Sequence, residues 1–381
     1  MNRVYLDSAA TTQLRKEVIE RITRVMQNEY GNPSSTHSFG RSSKAIIENA
    51  RKTIAKQLHV SASEIIFTSG GTEADNLVLN SCVRDLDVRR IITSKIEHHA
   101  VLHTVDQLQE CFDVEVNYVA VKPCGSVDYD DLERLLKSSG QKTLVSLMHI
   151  NNEIGTILDI ERVAEMCKKH QALFHSDTVQ SIGHYDMDLS KIGVDFTAVA
   201  AHKFHGPKGV GFAYIRKKTG LQSLIFGGEQ ERGLRAGTEA VQNIAGLETA
   251  FQLAYEKLEE EKAYIADLKS HFIAQLKARI PGVKFNGCCE DLEKSTYTLV
   301  NVCLPVPPEK ALMLLFQLDL KGIACSKGSA CQSGSDQGSH VLRAILEEED
   351  LKNPSIRFSF SAFNTKEELD YVVQVLKDFI G

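Results

Sequence analysis

The chain has 381 residues, of which 43% are hydrophobic, and its 44 Lys and Arg against 50 Asp and Glu give a net charge of −6. This length predicts more than one domain, and the hydrophobic fraction excludes a disordered chain. The small negative charge argues against a protein that binds nucleic acid mainly by electrostatics. The longest unbroken apolar run, Ala311–Phe316, is far too short to cross a membrane.

No apolar stretch follows the first charged residue, so we expect no secretory signal. The cysteines number nine, an odd count that favours reduced thiols over a disulfide framework. We therefore expect a cytoplasmic protein, and its size suggests an enzyme.

Short apolar runs alternate with helical patterns through the first two thirds of the chain. The predicted strands are Glu64–Thr68, Arg90–Thr93, Val114–Val121, Thr143–Ile150, Ala172–Ser176, Phe196–Ala200 and Val210–Ile215. The predicted helices between them include Thr72–Arg84, Tyr129–Ser138 and Ile160–His170. This alternation predicts an α/β domain with a mostly parallel sheet that helices cover on both faces.

The pattern changes near residue 250. Glu248–Ile280 reads as one long helix with an apolar stripe at Ile265, Leu268, Phe272 and Leu276. The later elements are predicted as strands Thr296–Leu304 and Ser355–Ser361 and helices Glu309–Leu318 and Thr365–Ile380. They indicate a second, smaller α+β domain.

Several polar motifs follow directly after predicted strands. In the first, Gly70 and Gly71 lead into a helix with Thr72, which suits an anion at the helix N-terminus but equally suits a plain helix cap. In the second, Lys203 follows the strand Phe196–Ala200, where a lysine can form an imine with an aldehyde or can simply be solvated.

Two more strand ends carry groups that could bind a ligand. Asp177 can face a protonated ring nitrogen and Gln180 a phenolic oxygen, whereas Asn152 could hold a carboxylate. Each of these residues is also compatible with an ordinary turn.

Histidine and cysteine motifs complete the set. His99 and His103 have the spacing of metal ligands on a helix, but no further ligands accompany them, so we expect no metal site. His98 is better suited to stack on an aromatic cofactor. Cys331 lies in a polar Gly/Ser-rich segment, which favours a nucleophile, although an incidental surface cysteine has the same appearance.

The strand-end motifs match the needs of pyridoxal 5′-phosphate when they are taken together. This cofactor requires an imine-forming lysine, an anion site, a carboxylate for its pyridinium nitrogen and a group stacked on its ring. The motifs that follow extend this match over nearly the whole chain: YLDSAATT, GNPSSTHSFG, TSGGTEADN, EHHAV, HINNEIG, HSDTVQ, AHKFHGPKG, ERGLRAGTEAVQN, GSACQSGS, SHVLRA and SIRFSFSAFNT. In this order they resemble the NifS-type cysteine desulfurases of the aspartate-aminotransferase fold.

The resemblance implies a role for each site residue. Lys203 holds the cofactor and moves protons, Asp177 pairs with the pyridinium nitrogen, and His98 stacks on the ring and takes part in acid–base steps. The other cofactor-binding residues that it implies are Gln180, Gly71, Thr72, His202, Asn152 and, from the partner subunit of a homodimer, Thr238. Asn152 and Arg357 bind the substrate carboxylate, and Cys331 is the nucleophile.

The resemblance also implies the architecture and the reaction. A large cofactor-binding domain is expected at residues 13–256, and a small domain at residues 1–12 and 257–381 with a mobile cysteine loop at about 324–340. L-cysteine would be converted to L-alanine, with sulfur kept as a persulfide for a protein acceptor in iron–sulfur cluster, thio-cofactor or tRNA biosynthesis. A selenocysteine lyase or an aminotransferase of the same fold is the alternative.

Two departures from the family pattern affect these expectations. Family members usually carry a hydroxyl residue where this chain has Ala200, so we expect somewhat weaker retention of the cofactor. The chain also ends soon after its last predicted helix, where housekeeping relatives continue into a segment that docks a scaffold protein. The identity of the sulfur acceptor therefore stays open. Cys325 is expected to be a structural residue.

Overall fold

The computed structural model of the chain describes residues 3–306, 308–327 and 338–381. In this part of the chain the strands are β1 Val4–Tyr5, β2 Ile65–Thr68, β3 Arg90–Thr93, β4 Glu115–Tyr118, β5 Thr143–Ser146, β6 Leu173–Asp177, β7 Phe196–Ala200, β8 Gly211–Ile215, β9 Lys284–Asn286, β10 Leu299–Cys303, β11 Ile323–Ala324 and β12 Ser355–Ser359. The α-helices are α1 Lys16–Asn28, α2 Ser38–Gln57, α3 Gly71–Asp85, α4 His99–Phe112, α5 Tyr129–Lys137, α6 Ile160–Lys169, α7 Leu189–Ile192, α8 Val241–Glu256, α9 Leu258–Arg279, α10 Pro308–Leu320, α11 His340–Ile345, α12 Glu348–Leu351 and α13 Lys366–Ile380.

The main sheet has the strand order β2-β8-β7-β6-β5-β3-β4. Strands β4, β3, β5, β6 and β7 run parallel to one another, and β8 is antiparallel to both β7 and β2. The predicted mostly parallel sheet is therefore confirmed, and the predicted strands lie within a few residues of the observed ones.

Apolar cores on both faces of this sheet explain why its strands read as continuous apolar runs. Alternate residues of one strand enter opposite cores: Ile65 and Phe67 belong to one core, whereas Ile66 belongs to the other. Helices α1, α2 and α8 cover the first face, and α3 and α4 cover the second. Because both faces are buried, nearly every position of a central strand must be apolar.

A separate core forms around two smaller sheets. Strand β10 pairs antiparallel with β12 and β9, and the amino-terminal strand β1 pairs in parallel with β11. Helices α9 and α13 pack on this region, with Ile265, Leu268, Phe272 and Leu276 of α9 all buried in the third core as the apolar stripe predicts. The division into a large domain at residues 13–256 and a small domain at residues 1–12 and 257–381 stays a prediction.

The prediction of one helix over Glu248–Ile280 was wrong, because the chain breaks at Lys257 into α8 and α9. Helix α8 buries Phe251 and Ala254 in the main core, whereas α9 packs in the smaller one. A single straight helix could not serve both cores. Three glutamates, Glu259–Glu261, occupy the first turn of α9, where they favour a new helix start.

The smaller region ends in α13, which begins with a capping box. The Thr365 side chain accepts from Glu368 N while the Glu368 carboxylate accepts from Thr365 N. Among the described residues, no helix is both long enough and apolar enough to cross a membrane.

Candidate active site

A cavity of about 210 Å³ lies at the carboxyl ends of β6 and β7, where the amino-terminal end of α3 meets them. Ligands of open α/β folds bind at this edge because the parallel strands all end there. Its lining residues are Ala9, Ala10, Gly71, Thr72, Asp75, His98, Met148, Asn152, Asp177, Val179, Gln180, Ala200, His202, Lys203 and Arg357. Most of the predicted site residues are therefore brought together in one cavity.

The N-terminus of α3 forms one end of this cavity and is suited to an anion. Gly70 has φ of +155°, and no side chain caps the helix. A Cβ at Gly71 would lie only 2.6 Å from Val179 Cγ2, so only glycine fits between the helix and the β6 end. His202 Nδ1 is buried without a hydrogen-bond partner among the described residues. Free helix N–H groups and an unpartnered imidazole fit a phosphate group.

Lys203 is a further residue of the cavity lining. Its Nζ donates to the carbonyl oxygens of Ala9 at 2.7 Å and Ala10 at 2.8 Å. Gln180 Nε2 donates to the same Ala9 oxygen at 2.9 Å. The amino-terminal segment thus positions both the lysine and the glutamine, a function that the sequence patterns did not reveal.

Asp177 supplies the carboxylate at the cavity floor. Its Oδ1 accepts from Val179 N at 2.9 Å, and burial raises the pKa of the carboxyl to about 6. Burial, reinforced by the nearby Asp177 charge, also raises the pKa of Asp75 well above its ordinary value. Near pH 7 the Asp177 carboxyl, with its pKa of about 6, is therefore mostly ionised. A buried carboxylate of this kind matches a protonated ring nitrogen.

A polar chain behind Asp177 involves residues that the sequence did not single out. Asp75 Oδ1 lies 3.4 Å from His175 Nε2, and Ser146 Oγ lies 2.9 Å from His175 Nδ1. Burial lowers the pKa of His175 to about 3, so this histidine is neutral. Asp75 stands in the TEADN motif one turn into α3, and that position is the only sequence signal that pointed to it.

His98 caps α4 from the rim of the same cavity. Its Nδ1 accepts from Ala100 N at 3.1 Å, which assigns the ring proton to Nε2. Burial, with a contribution from the positive charge of Lys203, lowers the pKa of His98 to about 4. The imidazole is therefore neutral near pH 7 and can both donate from Nε2 and stack on a ring.

Arg357 enters the cavity from β12 of the smaller region. Its Nη1 donates to the Asn152 carbonyl oxygen at 2.7 Å, and its Nη2 donates to Asp7 Oδ1 at 2.9 Å. Its Nε is buried without a partner among the described residues. A fixed guanidinium that keeps a spare donor fits a substrate carboxylate. Asp7 is a further residue that the sequence patterns missed.

Two predicted site residues do not lie in the cavity lining. Thr238 is exposed and borders a separate pocket that includes Ser69 and Arg235. Cys331 lies outside the described residues. The described part of the chain holds no group of three His, Cys, Asp or Glu side chains arranged for a metal ion. The His99 ring instead packs against His103 at 4.8 Å and His340 at 4.4 Å between centroids.

The residues present fit pyridoxal 5′-phosphate. The uncapped helix end and the unpartnered His202 nitrogen suit its phosphate, the buried Asp177 suits its pyridinium, and Lys203 lines the same cavity.

Comparisons with known proteins agree over the full length. The aminotransferase class-V family model matches residues 4–372. The cysteine desulfurase IscS of Dictyoglomus turgidum is 42% identical over 99% of this chain and 94% of its own. The putative cysteine desulfurase IscS 1 of Bacillus subtilis is 41% identical over 100% of this chain and 99% of its own.

Solved structures give the same result. A NifS-like protein superposes with a TM-score of 0.89 at 37% identity, and the match covers 99% of both chains. SspA, solved in complex with cysteine, superposes with a TM-score of 0.82 at 29% identity, over 95% of this chain and all of that one. The predicted family and fold class are confirmed. The chain belongs to the aminotransferase class-V family, among its NifS-like and IscS cysteine desulfurases.

Proposed function

We propose that this protein is a pyridoxal 5′-phosphate-dependent cysteine desulfurase that converts L-cysteine to L-alanine and keeps the sulfur as a persulfide on Cys331. The observation that carries the proposal is the joint placement of Lys203, Asp177 and Arg357 on one cavity. They provide the amine, the ring counter-charge and the carboxylate-binding fork that this reaction needs. The full-length similarity to cysteine desulfurases supports the same reaction.

Two groups of residues would hold the cofactor, one at its phosphate and one at its ring. The N-terminus of α3 with Gly71, Thr72 and His202 would bind the phosphate, and Asp177 and Gln180 would bind the ring. When bound, pyridoxal 5′-phosphate supplies an electron sink for the carbanion formed at the substrate α-carbon.

Lys203 and His98 would carry out the proton transfers of the reaction. The Lys203 amine would take the α-proton of L-cysteine. His98 is neutral and carries its proton on Nε2, so it can donate there and accept it back. The buried Asp177 carboxylate would favour a protonated ring nitrogen.

Arg357 and Asn152 would hold the substrate carboxylate and so fix the position of the sulfur. The Cys331 thiolate then attacks that sulfur, and a Cys331 persulfide forms as the substrate carbon–sulfur bond breaks. The electron pair of the broken bond stays with the substrate, which takes up a proton and leaves as L-alanine. A protein acceptor for iron–sulfur cluster or tRNA biosynthesis would collect the sulfur.

We further propose a homodimer in which Thr238 completes the phosphate site of the partner subunit. Thr238 is exposed and does not line the cavity of its own chain, which supports this assignment. The cytoplasm is the compartment that best suits eight described cysteines with no disulfide among them.

The test measures alanine and sulfide together from the purified holoenzyme, L-cysteine and a reductant. We expect equal amounts of both products, none from Cys331→Ser, and normal amounts from the exposed-cysteine control Cys111→Ser. Lys203→Ala should lose the cofactor absorbance band that the exposed-lysine control Lys191→Ala retains. Full activity of Cys331→Ser, or pyruvate in place of alanine, would refute the proposal.

A further inference from the structure

Two cysteines outside the proposed reaction lie in contact where the main and smaller cores meet. Cys124 is in the loop between β4 and α5, and Cys288 follows β9. Cys288 Sγ lies 3.8 Å from the Cys124 carbonyl oxygen, and the two thiols are close enough that each shifts the pKa of the other. Both side chains are partly exposed, so small molecules in solution can reach them.

Both cysteines sit in turns that pack on the same residue. Their neighbours Gly125 and Gly287 have φ of +76° and +73°. A Cβ at Gly125 would lie 2.2 Å from Ile154 Cδ1, and a Cβ at Gly287 would lie 2.9 Å from the Ile154 carbonyl oxygen. Both turns therefore pack closely against Ile154, and this packing keeps the two cysteines near each other.

The two thiols differ in acidity. Burial alone would raise the pKa of Cys124, but hydrogen bonds with Ser126 and Cys288 outweigh it and lower that pKa. Burial raises the pKa of Cys288 to about 11, and the contact with Cys124 adds to the rise. Cys124 is therefore the thiol that attacks an oxidant, and Cys288 is the thiol that closes the ring.

We propose that Cys124 and Cys288 form a redox-active pair that a small-molecule disulfide converts to an intramolecular disulfide. The Cys124 thiolate attacks one sulfur of the reagent and releases the first thiol. Cys288 then loses its proton and attacks Cys124 Sγ, and the second thiol leaves. The two cysteines are oxidised by two electrons, and the reagent is reduced to two thiols.

The disulfide would act on a loop that borders the active site. Thr156 Oγ1 donates to the Cys124 carbonyl oxygen at 2.9 Å, and Cys289 Sγ lies 3.3 Å from the Ile154 oxygen. The same loop supplies the Asn152 carbonyl that accepts from Arg357. A Cys124–Cys288 disulfide would therefore link the two cores covalently, close to Arg357.

The test treats the Cys331→Ser holoenzyme with glutathione disulfide, so that the proposed nucleophile does not compete for the reagent. Free thiols are then alkylated, and the digested protein is mapped by mass spectrometry. We expect a Cys124–Cys288 cross-linked peptide, two glutathiones released per chain, and reversal by dithiothreitol. The melting temperature should rise by several degrees, because the cross-link restricts the unfolded chain.

Variants separate the two roles. Cys288→Ser should stop at a stable glutathione adduct on Cys124, Cys124→Ser should give no cross-link, and Cys111→Ser should behave as its parent. Wild-type holoenzyme should give the same cross-link. Three results would overturn the proposal. They are a glutathione adduct on Cys124 together with an alkylated Cys288, a Cys288–Cys289 disulfide, and alkylation of both Cys124 and Cys288. None of these readouts depends on desulfurase activity.

Discussion

Arg357 donates from Nη2 to Oδ1 of Asp7 over 2.9 Å, although the two residues lie 350 positions apart in the sequence. The Arg357 side chain is only 2% exposed, and the same Asp7 oxygen accepts from Ser326 Oγ at 2.8 Å. This pair joins the two ends of the chain at the substrate side of the cavity. It also gives a buried positive charge its counter-charge and orients the guanidinium.

The first prediction concerns the guanidinium itself. Arg357→Lys keeps the positive charge but cannot reproduce the planar fork held by Asn152 and Asp7. Since a hydrogen bond to a charged group contributes about 1.5–3 kcal/mol, the KM for L-cysteine should rise about ten-fold or more. Steady-state alanine formation measures this change. An unaltered KM would show that Arg357 does not bind the substrate carboxylate.

The second prediction concerns the counter-charge. Asp7→Asn leaves the buried Arg357 without a carboxylate partner. Breaking a buried ion pair costs about 3 kcal/mol, and the partial exposure of Asp7 lowers this cost, so the free energy of unfolding should fall by up to about 3 kcal/mol. Urea denaturation followed by circular dichroism measures it. The matched control is Asp350→Asn, which breaks the exposed pair with Lys284 and should have a much smaller effect, since solvent screens exposed pairs. Equal effects of the two variants would contradict the assigned role.

Sequence patterns predicted the large sheet because its strands are buried on both faces, and a run such as Phe196–Ala200 leaves few other interpretations. Residues at strand ends, such as Asp177 and Lys203, were predicted for a related reason. Parallel strands end at one edge, so polar side chains that follow them must meet.

The sequence could not show contacts that depend on tertiary packing. The break at Lys257 follows from the passage of the chain between two cores, which the helical period does not encode. Likewise, Asp7 and the carbonyls of Ala9 and Ala10 reach the site only because strand β1 pairs with β11 across the smaller region.

The third prediction is a pH dependence that arises from Asp177. Its carboxyl has an ordinary pKa of 3.8, which burial raises to about 6. Between about pH 4 and 6 the folded chain keeps a proton that the unfolded chain loses. The group therefore adds stability at low pH, and this stability disappears as the pH rises through 6.

Asp177→Asn should remove that dependence. With cofactor-free protein, the melting temperature of the variant minus that of the wild type should increase between pH 4.5 and 7.5. Differential scanning fluorimetry across this range measures the difference. Burial keeps the pKa of Asp75 raised in both proteins, whereas the part of that rise that the Asp177 charge causes is lost in the variant and belongs to the same trend. A difference that stays constant with pH would show that the Asp177 pKa is not raised.

The fourth prediction tests the close approach at the N-terminus of α3. Gly71→Ala would place a methyl group 2.6 Å from Val179 Cγ2, so the helix end and the β6 end must separate. We expect pyridoxal 5′-phosphate to bind about ten-fold or more weakly, as measured by titration of the cofactor-free protein. Gly140→Ala is the control, since its Cβ meets no atom within 4 Å. Unchanged affinity for Gly71→Ala would exclude this helix end as the phosphate site.

The last prediction concerns Ala200, the residue where family members usually have a hydroxyl. Ala200 is buried at the end of β7 and lines the cavity, and its Cβ lies 3.8 Å from the position of a Cβ at Gly71. A serine hydroxyl there would lie beside the proposed phosphate site and could donate one more hydrogen bond. At about 1 kcal/mol per bond, Ala200→Ser should retain the cofactor about five-fold more tightly during dialysis. Absorbance of the cofactor band against dialysis time measures this, and equal retention by both proteins would show that the other donors already satisfy the phosphate.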